Sequence, residues 1–276
     1  MPTIAVSTFS FGPECMAKEG LDFALRHDFQ GLELGSWNLW PDLMSPEEVK
    51  YVRVQAASHG IELSIHFIHR GVAPATHDKE RRAKHLNEME ATLRLAGEIG
   101  ARAIVVHPGP IDAPDVDPAK VSEEVRRQSI DNLRLFLEQS LPWAEDAGAV
   151  LCLENLTHVP GFLFQSYGAL VDLVKEMDNP LVRIILDVGH ADRSDGLRSA
   201  FDTFGPYIRH MHLHDSDGQR DHQEIGKAKL DFAQYLDVLK PFPFTLAMES
   251  RDESDPEGCV LRSRDALKRV LQDAAR

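Results

Sequence analysis

Short apolar runs alternate with longer amphipathic stretches from one end of the chain to the other. The apolar runs predict strands over 3–9, 31–35, 61–67, 103–109, 150–155, 183–189, 208–215 and 244–250, since each is brief, apolar and bounded by Gly, Pro, Asn or Asp. Between them the 3.6-residue period predicts helices. The stretch 45–60 opens on Ser45 and Pro46 and ends on Gly60, and 78–100 and 117–148 also end in glycine. The Gly- and Asp-rich stretch 216–230 reads as a long loop. Eight strand–helix units without a linker or low-complexity tract predict one domain over 1–276, a single α/β (β/α)8 TIM barrel with parallel strands. An open doubly wound sheet is the competing fold, but no GxGxxG or P-loop follows an early strand.

Side chains alternate across a strand, so each run has two faces. One face carries pairs such as Leu32 and Leu34 or Ile104 and Val106, suited to packing under helices. The other is small or polar: Glu33 between glycines, Ser64 then His66, Val105 then His107, Cys152 then Glu154, Ile185 then Asp187, His210 then His212 and His214, Ala247 then Glu249. Most of these lumen faces finish on His, Glu or Asp, at the strand ends where barrel active sites lie.

Composition narrows the partners. A net charge of −14, from 44 acidic against 30 basic residues, argues against a nucleic-acid or membrane-surface partner without excluding the former. Three scattered cysteines with no CxxC, together with the absence of a long apolar segment or charged leader, point to a reduced, cytoplasmic chain.

Glu154, Asp187 and Glu249 would share one desolvated mouth, and like charges so placed are costly unless compensated. A divalent cation resolves the conflict. Three carboxylates with His212 form an O/N donor set suited to Mn2+, Zn2+ or Co2+.

The motifs "HPG" (107–109), "LEN" (153–155), "LDVGH" (186–190), "HLHDSDG" (212–218) and "ES" (249–250), in this order, resemble the xylose isomerase-like TIM barrels, over essentially the whole chain. That superfamily includes sugar and sugar-phosphate isomerases and epimerases and metal-dependent apurinic endonucleases. The epimerase branch implies one metal on Glu154, Asp187, His212 and Glu249, with Glu154 and Glu249 exchanging protons with a small carbohydrate. It also implies His190 on a substrate hydroxyl and His66 and His107 lining the pocket. Ketohexose epimerases commonly carry an arginine just after the strand-seven motif, whereas the first here is Arg220. The endonuclease branch implies several zinc ions, adding His66, His107, His190 and His222 as ligands. Here Arg220 stands two before His222, where that branch has a carboxylate. A barrel that binds metal without catalysis is a third reading, and self-association through outer helices fits such barrels.

Around this set, Glu33 reads as a substrate contact, as the orienter of a ligand histidine or as a structural salt bridge, and His214 as a substrate contact. Trp37, with Phe9, Trp40 and Phe67, reads either as an aromatic wall of the pocket or as loop packing. His210 reads as a core hydrogen-bonding residue, Cys152 as core filler, and His69 and His77 as surface residues.

Overall fold

The computed structural model describes residues 2–273. Eight strands, β1 (Thr3–Ser7), β2 (Gly31–Leu34), β3 (Glu62–His66), β4 (Ala103–Val106), β5 (Val150–Glu154), β6 (Val182–Asp187), β7 (Ile208–Leu213) and β8 (Thr245–Met248), pair in sequence order. β1 pairs with β8 to close the barrel, and every ladder is parallel. The α/β barrel expected from the chain's alternation is therefore the fold observed. The helices are α1 (Ala17–Arg26), α2 (Pro46–His59), α3 (Lys79–Ile99), α4 (Glu123–Ala147), α5 (Tyr167–Met177), α6 (Val188–Asp192), α7 (Leu197–Phe204), α8 (Leu236–Leu239) and α9 (Pro256–Asp273).

Local chemistry sets these limits. Ser45, Asp78 and Ser122 cap α2, α3 and α4 by accepting backbone N–H groups of the first turn. Gly60, Gly100 and Gly148 end the same helices in the left-handed conformation. The expected helix over 117–148 is broken: a 3-10 turn at Pro118–Lys120 precedes α4 because Ser122 restarts the chain with its own cap. The β7–β8 crossover also departs from expectation, holding a 3-10 turn at Phe232–Tyr235 and the single-turn α8 where a full helix would stand.

The outward faces of the strands, among them Leu32, Leu34, Ile104, Val106, Leu151 and Leu153, are buried under the helices in one continuous core. Each such side chain contributes about 1.5–3 kcal/mol on burial. Inside the lumen a separate small cluster of Ala103, Val105, Cys152 and Ile185 fills the lower layer, and above it the polar ends begin. Cys152 is fully buried there, its thiol pushed up to about 12 by burial, which suits a packing role. Strands end sooner than the apolar runs suggested, at His66, Val106, Glu154 and Asp187, so the residues beyond them belong to loops at the C-terminal mouth. Among the described residues no helix is long and apolar enough to cross a membrane.

Candidate functional site

Glu154 and Asp187 are the last residues of β5 and β6, His212 lies in β7 opposite Asp187, and Glu249 follows β8. Their backbones are tied as well as their side chains. Asn155 donates from Nδ2 to the Asp187 carbonyl (3.1 Å) and accepts the Asp187 N–H on Oδ1 (2.8 Å). That reciprocal pair extends the sheet by one rung where the ladder itself stops. Asp187 Oδ1 accepts the His190 N–H (2.7 Å), which makes Asp187 the cap of α6, and Oδ2 accepts from His214 Nε2 (2.9 Å). Ser7 Oγ donates to Glu249 Oε1 (3.1 Å) across the barrel seam.

At the centre, His212 Nδ1 lies 3.2 Å from Glu249 Oε2, 3.6 Å from Glu154 Oε1 and 3.7 Å from Asp187 Oδ2. Its other nitrogen, Nε2, is 3.1 Å from Glu33 Oε1, while Glu33 Oε2 meets His210 Nε2 (2.9 Å) and Ser64 Oγ (3.2 Å). A carboxylate behind an imidazole is the usual support for a metal-bound histidine. A second ring surrounds Glu154: His107 Nε2 at 2.8 Å, His66 Nε2 at 3.3 Å and His190 Nδ1 at 3.3 Å. These groups open onto a cavity of about 240 Å³ whose rim carries Phe9, Trp37, His69, Arg70 and His222. That is smaller than the ~300–1,000 Å³ of pockets for drug-sized ligands and suits a small metabolite.

The donor set fits a divalent cation. His212 Nδ1 and Glu154 Oε2 are buried, and among the described residues neither has a partner aligned for a hydrogen bond, although oxygens and nitrogens crowd within 4 Å. Ligands held about 2.0–2.2 Å from one ion in tetrahedral array stand roughly 3.3–3.6 Å apart, close to the separations found around His212. Asp187, His212 and Glu249 can offer one atom each within 4.8 Å of one another, as can His66, Glu154 and His212.

Electrostatics in this pocket are strongly graded. Burial opposes charge on His212, yet the carboxylates of Glu249 and Glu33 outweigh it and hold the imidazole well above its ordinary value. Burial likewise opposes charge on His190, but Asp187 and Glu154 raise it to about 9. Burial pushes the Glu249 carboxyl up; His212 pulls against this and Glu33 reinforces it, leaving Glu249 at about 7. Glu154 stays well below the usual carboxylate range despite burial, because His107, His190 and His212 face it. The two glutamates therefore present opposite proton affinities to one cavity.

The structure brings Glu154, Asp187, His212, Glu249, His66, His107, His190 and His222 together, and it corrects several expectations. Glu33 and His214, expected as substrate contacts, are fully buried, and neither is among the residues lining the cavity. Glu33 sits one layer down, beneath His212, against His210 and His212. His214 lies just past the end of β7, where strand alternation no longer applies. It turns to Asp187 and accepts the His222 N–H on Nδ1 (2.8 Å), which leaves the proton on Nε2. Trp37 and Phe9 line the cavity and stack at 5.1 Å, whereas Trp40 and Phe67 are buried in the core. His69 is not a surface residue: it lines the cavity and stacks on His107 at 4.6 Å, and burial pushes it down to about 3. Gly189 lies within α6. A Cβ there would meet His214 Cε1 at 2.2 Å, so its bare backbone is what lets that ring pack.

Sequence reading missed Asp215. Its carboxylate is fully buried and accepts four backbone N–H groups, from Ser216 and Leu230 on Oδ1 and from Gly226 and Ala228 on Oδ2. It thereby gathers the loop 216–230 that carries Asp221 and His222 to the mouth. The residue stands in the conspicuous "HLHDSDG" run, but nothing in spacing announces which N–H groups it gathers.

An uncharacterised protein of Methanocaldococcus jannaschii is 26% identical over 273 residues, spanning 97% of this chain and 88% of its own. A D-psicose 3-epimerase of Agrobacterium fabrum is 23% identical over 253 residues, spanning 86% of this chain and 78% of its own. A crystal structure of a D-tagatose 3-epimerase-like protein superposes with a TM-score of 0.80 at 23% identity, covering 99% of this chain and 100% of the other. A family model described as a xylose isomerase-like TIM barrel matches residues 21–270. The chain belongs to the xylose isomerase-like TIM barrel family.

Proposed function

We propose that the protein is an isomerase or epimerase acting on a small sugar, sugar phosphate or related polyol-ketone, with Glu154 and Glu249 as the proton-transfer pair. The observation that carries this is the placement of these two carboxylates, from β5 and β8, on one cavity with His212 Nδ1 between them, 3.2 Å from Glu249 and 3.6 Å from Glu154. Glu154, Asp187, His212 and Glu249 would hold a divalent cation, Mn2+, Zn2+ or Co2+, which when bound supplies Lewis acidity toward a carbonyl and its neighbouring hydroxyl. One glutamate takes the proton from the carbon beside the carbonyl, and the pair of electrons left behind forms the enediolate. The other returns a proton to the opposite face, so the stereocentre inverts with no net change in protons. His190, with Nδ1 3.0 Å from the Asn155 carbonyl, keeps Nε2 for a substrate hydroxyl. His66 and His107 hold Glu154 in place and shape the pocket. The sugar-epimerase names among the relatives support this reading.

The rival reading, a multinuclear zinc phosphodiesterase, draws support from the grouping of Asp187, His190 and His222 and of His66, His69 and His107. Against it, the acidic neighbour of His222, Asp221, is paired with Arg193 instead of facing the cavity. The test is exchange of the carbon-bound proton of ketoses and ketose phosphates with D2O, followed by NMR, alongside metal content per chain. Exchange that is lost in Glu249→Gln with the fold retained is the expected result. Several zinc ions per chain with cleavage of abasic DNA, or full exchange in Glu249→Gln, would overturn it.

A further inference from the structure

Among the described residues, Arg70 is the only lysine or arginine that lines the cavity. It sits at the second position of a tight turn, where the Val72 N–H returns to the His69 carbonyl (3.3 Å). Gly71 at φ 74° supplies the left-handed backbone that the third position of a type II turn requires. The guanidinium carbon lies 4.1 Å over the Trp37 ring. Trp37 is itself fixed, donating from Nε1 to the Phe9 carbonyl (2.9 Å) and stacking parallel to the Phe9 ring. Stacking occupies the face of a guanidinium and leaves its in-plane N–H fork free to bind.

That fork has no carboxylate within 4 Å among the described residues, whereas the neighbouring arginines of the mouth are all engaged. Arg251 pairs with Glu253 (2.9 Å), Arg220 with Asp217 (3.4 Å), and Arg193 with Asp221. Arg220, the first arginine after β7, points to solvent, its side chain 79% exposed. On a chain of net charge −14, whose cavity floor is lined by carboxylates, a neutral polyol needs no cation at the rim. An anion does, because the surrounding field repels it.

We infer that Arg70 reads a carboxylate or phosphate on the end of the substrate remote from its carbonyl, so that the preferred substrate is an anionic sugar derivative. The inference names the substrate class of the sugar reading above and rests on it for the orientation of the ligand. A charge-assisted contact to this guanidinium strengthens binding about tenfold.

Matched probes test this by calorimetry on the metal-loaded protein: D-fructose against D-fructose 6-phosphate, and D-fructose against D-fructuronate. The readout is the ratio of neutral to charged Kd in wild type, Arg70→Lys and Arg70→Gln. Arg70 is exposed, so neither variant threatens folding. The expected result is a preference of about tenfold for one charged member, reduced in Arg70→Lys and absent in Arg70→Gln; the arm that shows it identifies the anion. No charge preference in wild type, a preference that survives in Arg70→Gln, or no binding by any probe would overturn the inference. Proton exchange in D2O is scored separately. Exchange without charge preference defeats only the role of Arg70, whereas charge preference without exchange upholds Arg70 as an anion-binding residue and defeats the epimerase reading.

Discussion

Replacing Asp215 by Asn changes one atom of a side chain with no exposure to solvent, and the cost can be worked from its contacts. Oδ1 accepts from Ser216 (2.8 Å) and Leu230 (2.9 Å), and Oδ2 from Gly226 (2.9 Å) and Ala228 (3.0 Å). Whichever oxygen the amide nitrogen replaces, two backbone N–H groups lose their acceptor and face another donor. Hydrogen bonds to a charged group are worth about 1.5–3 kcal/mol each, so the loss is about 3–6 kcal/mol. That is a large share of the ~5–15 kcal/mol that holds a typical domain together. Equilibrium urea unfolding followed by far-UV circular dichroism reads the global part. Hydrogen exchange at the amides of Gly226, Ala228 and Leu230 reads the local part, since the loop can detach before the barrel opens. A change in stability below about 1 kcal/mol, with those amides as protected as in wild type, would refute the assignment of Asp215 as the anchor of the loop.

Other substitutions probe the scaffold around the site. Gly189→Ala drives a Cβ to 2.2 Å from His214 Cε1, and that ring is pinned between Asp187 and the His222 N–H. A loss of about 1–3 kcal/mol in thermal denaturation is expected, and an unchanged midpoint would show that the ring gives way. Asn155→Ala removes both links to Asp187 and leaves its buried N–H unpaired, which should cost about 2–4 kcal/mol in urea unfolding. A neutral outcome would mean that the rung is dispensable. Because the carboxylates hold His212 protonated above its ordinary range, cation uptake must expel that proton. Titrating metal-stripped protein with Mn2+ in weak buffer near neutral pH should acidify the solution, and no proton release would contradict the placement of His212 Nδ1 at the ion.

Strand alternation carried most of the fold and the floor of the site, because a two-residue period assigns each side chain of a strand to lumen or helix layer without further information. Glu154, Asp187 and His212 were legible for that reason. The rule fails where the strand stops. His214 continues the lumen series on paper, yet it lies beyond Leu213 and swings behind Asp187. Depth is also invisible to alternation: Glu33 is on the lumen side but fully buried against His212. His69, Arg70 and Asp215 belong to loops whose course depends on turn geometry and distant N–H groups, and no local pattern encodes those. Trp37 and Trp40 look alike in the sequence. They part because Trp40 donates to the Gly35 carbonyl from within the core while Trp37 donates to Phe9 at the rim.

The pairing of β1 with β8 joins Thr3–Val6 to Thr245–Met248, contacts between the two extremes of the chain. Such distant pairings are slow to form, and during synthesis they cannot form until the last strand has left the ribosome. Until then β1 and the growing end of the sheet present open edges, the state most exposed to wrong strand pairing. Glu249 and its Ser7 partner lie on that same seam. The site therefore cannot be complete before that seam closes, and a chain stalled or truncated before β8 would be both edge-exposed and without Glu249.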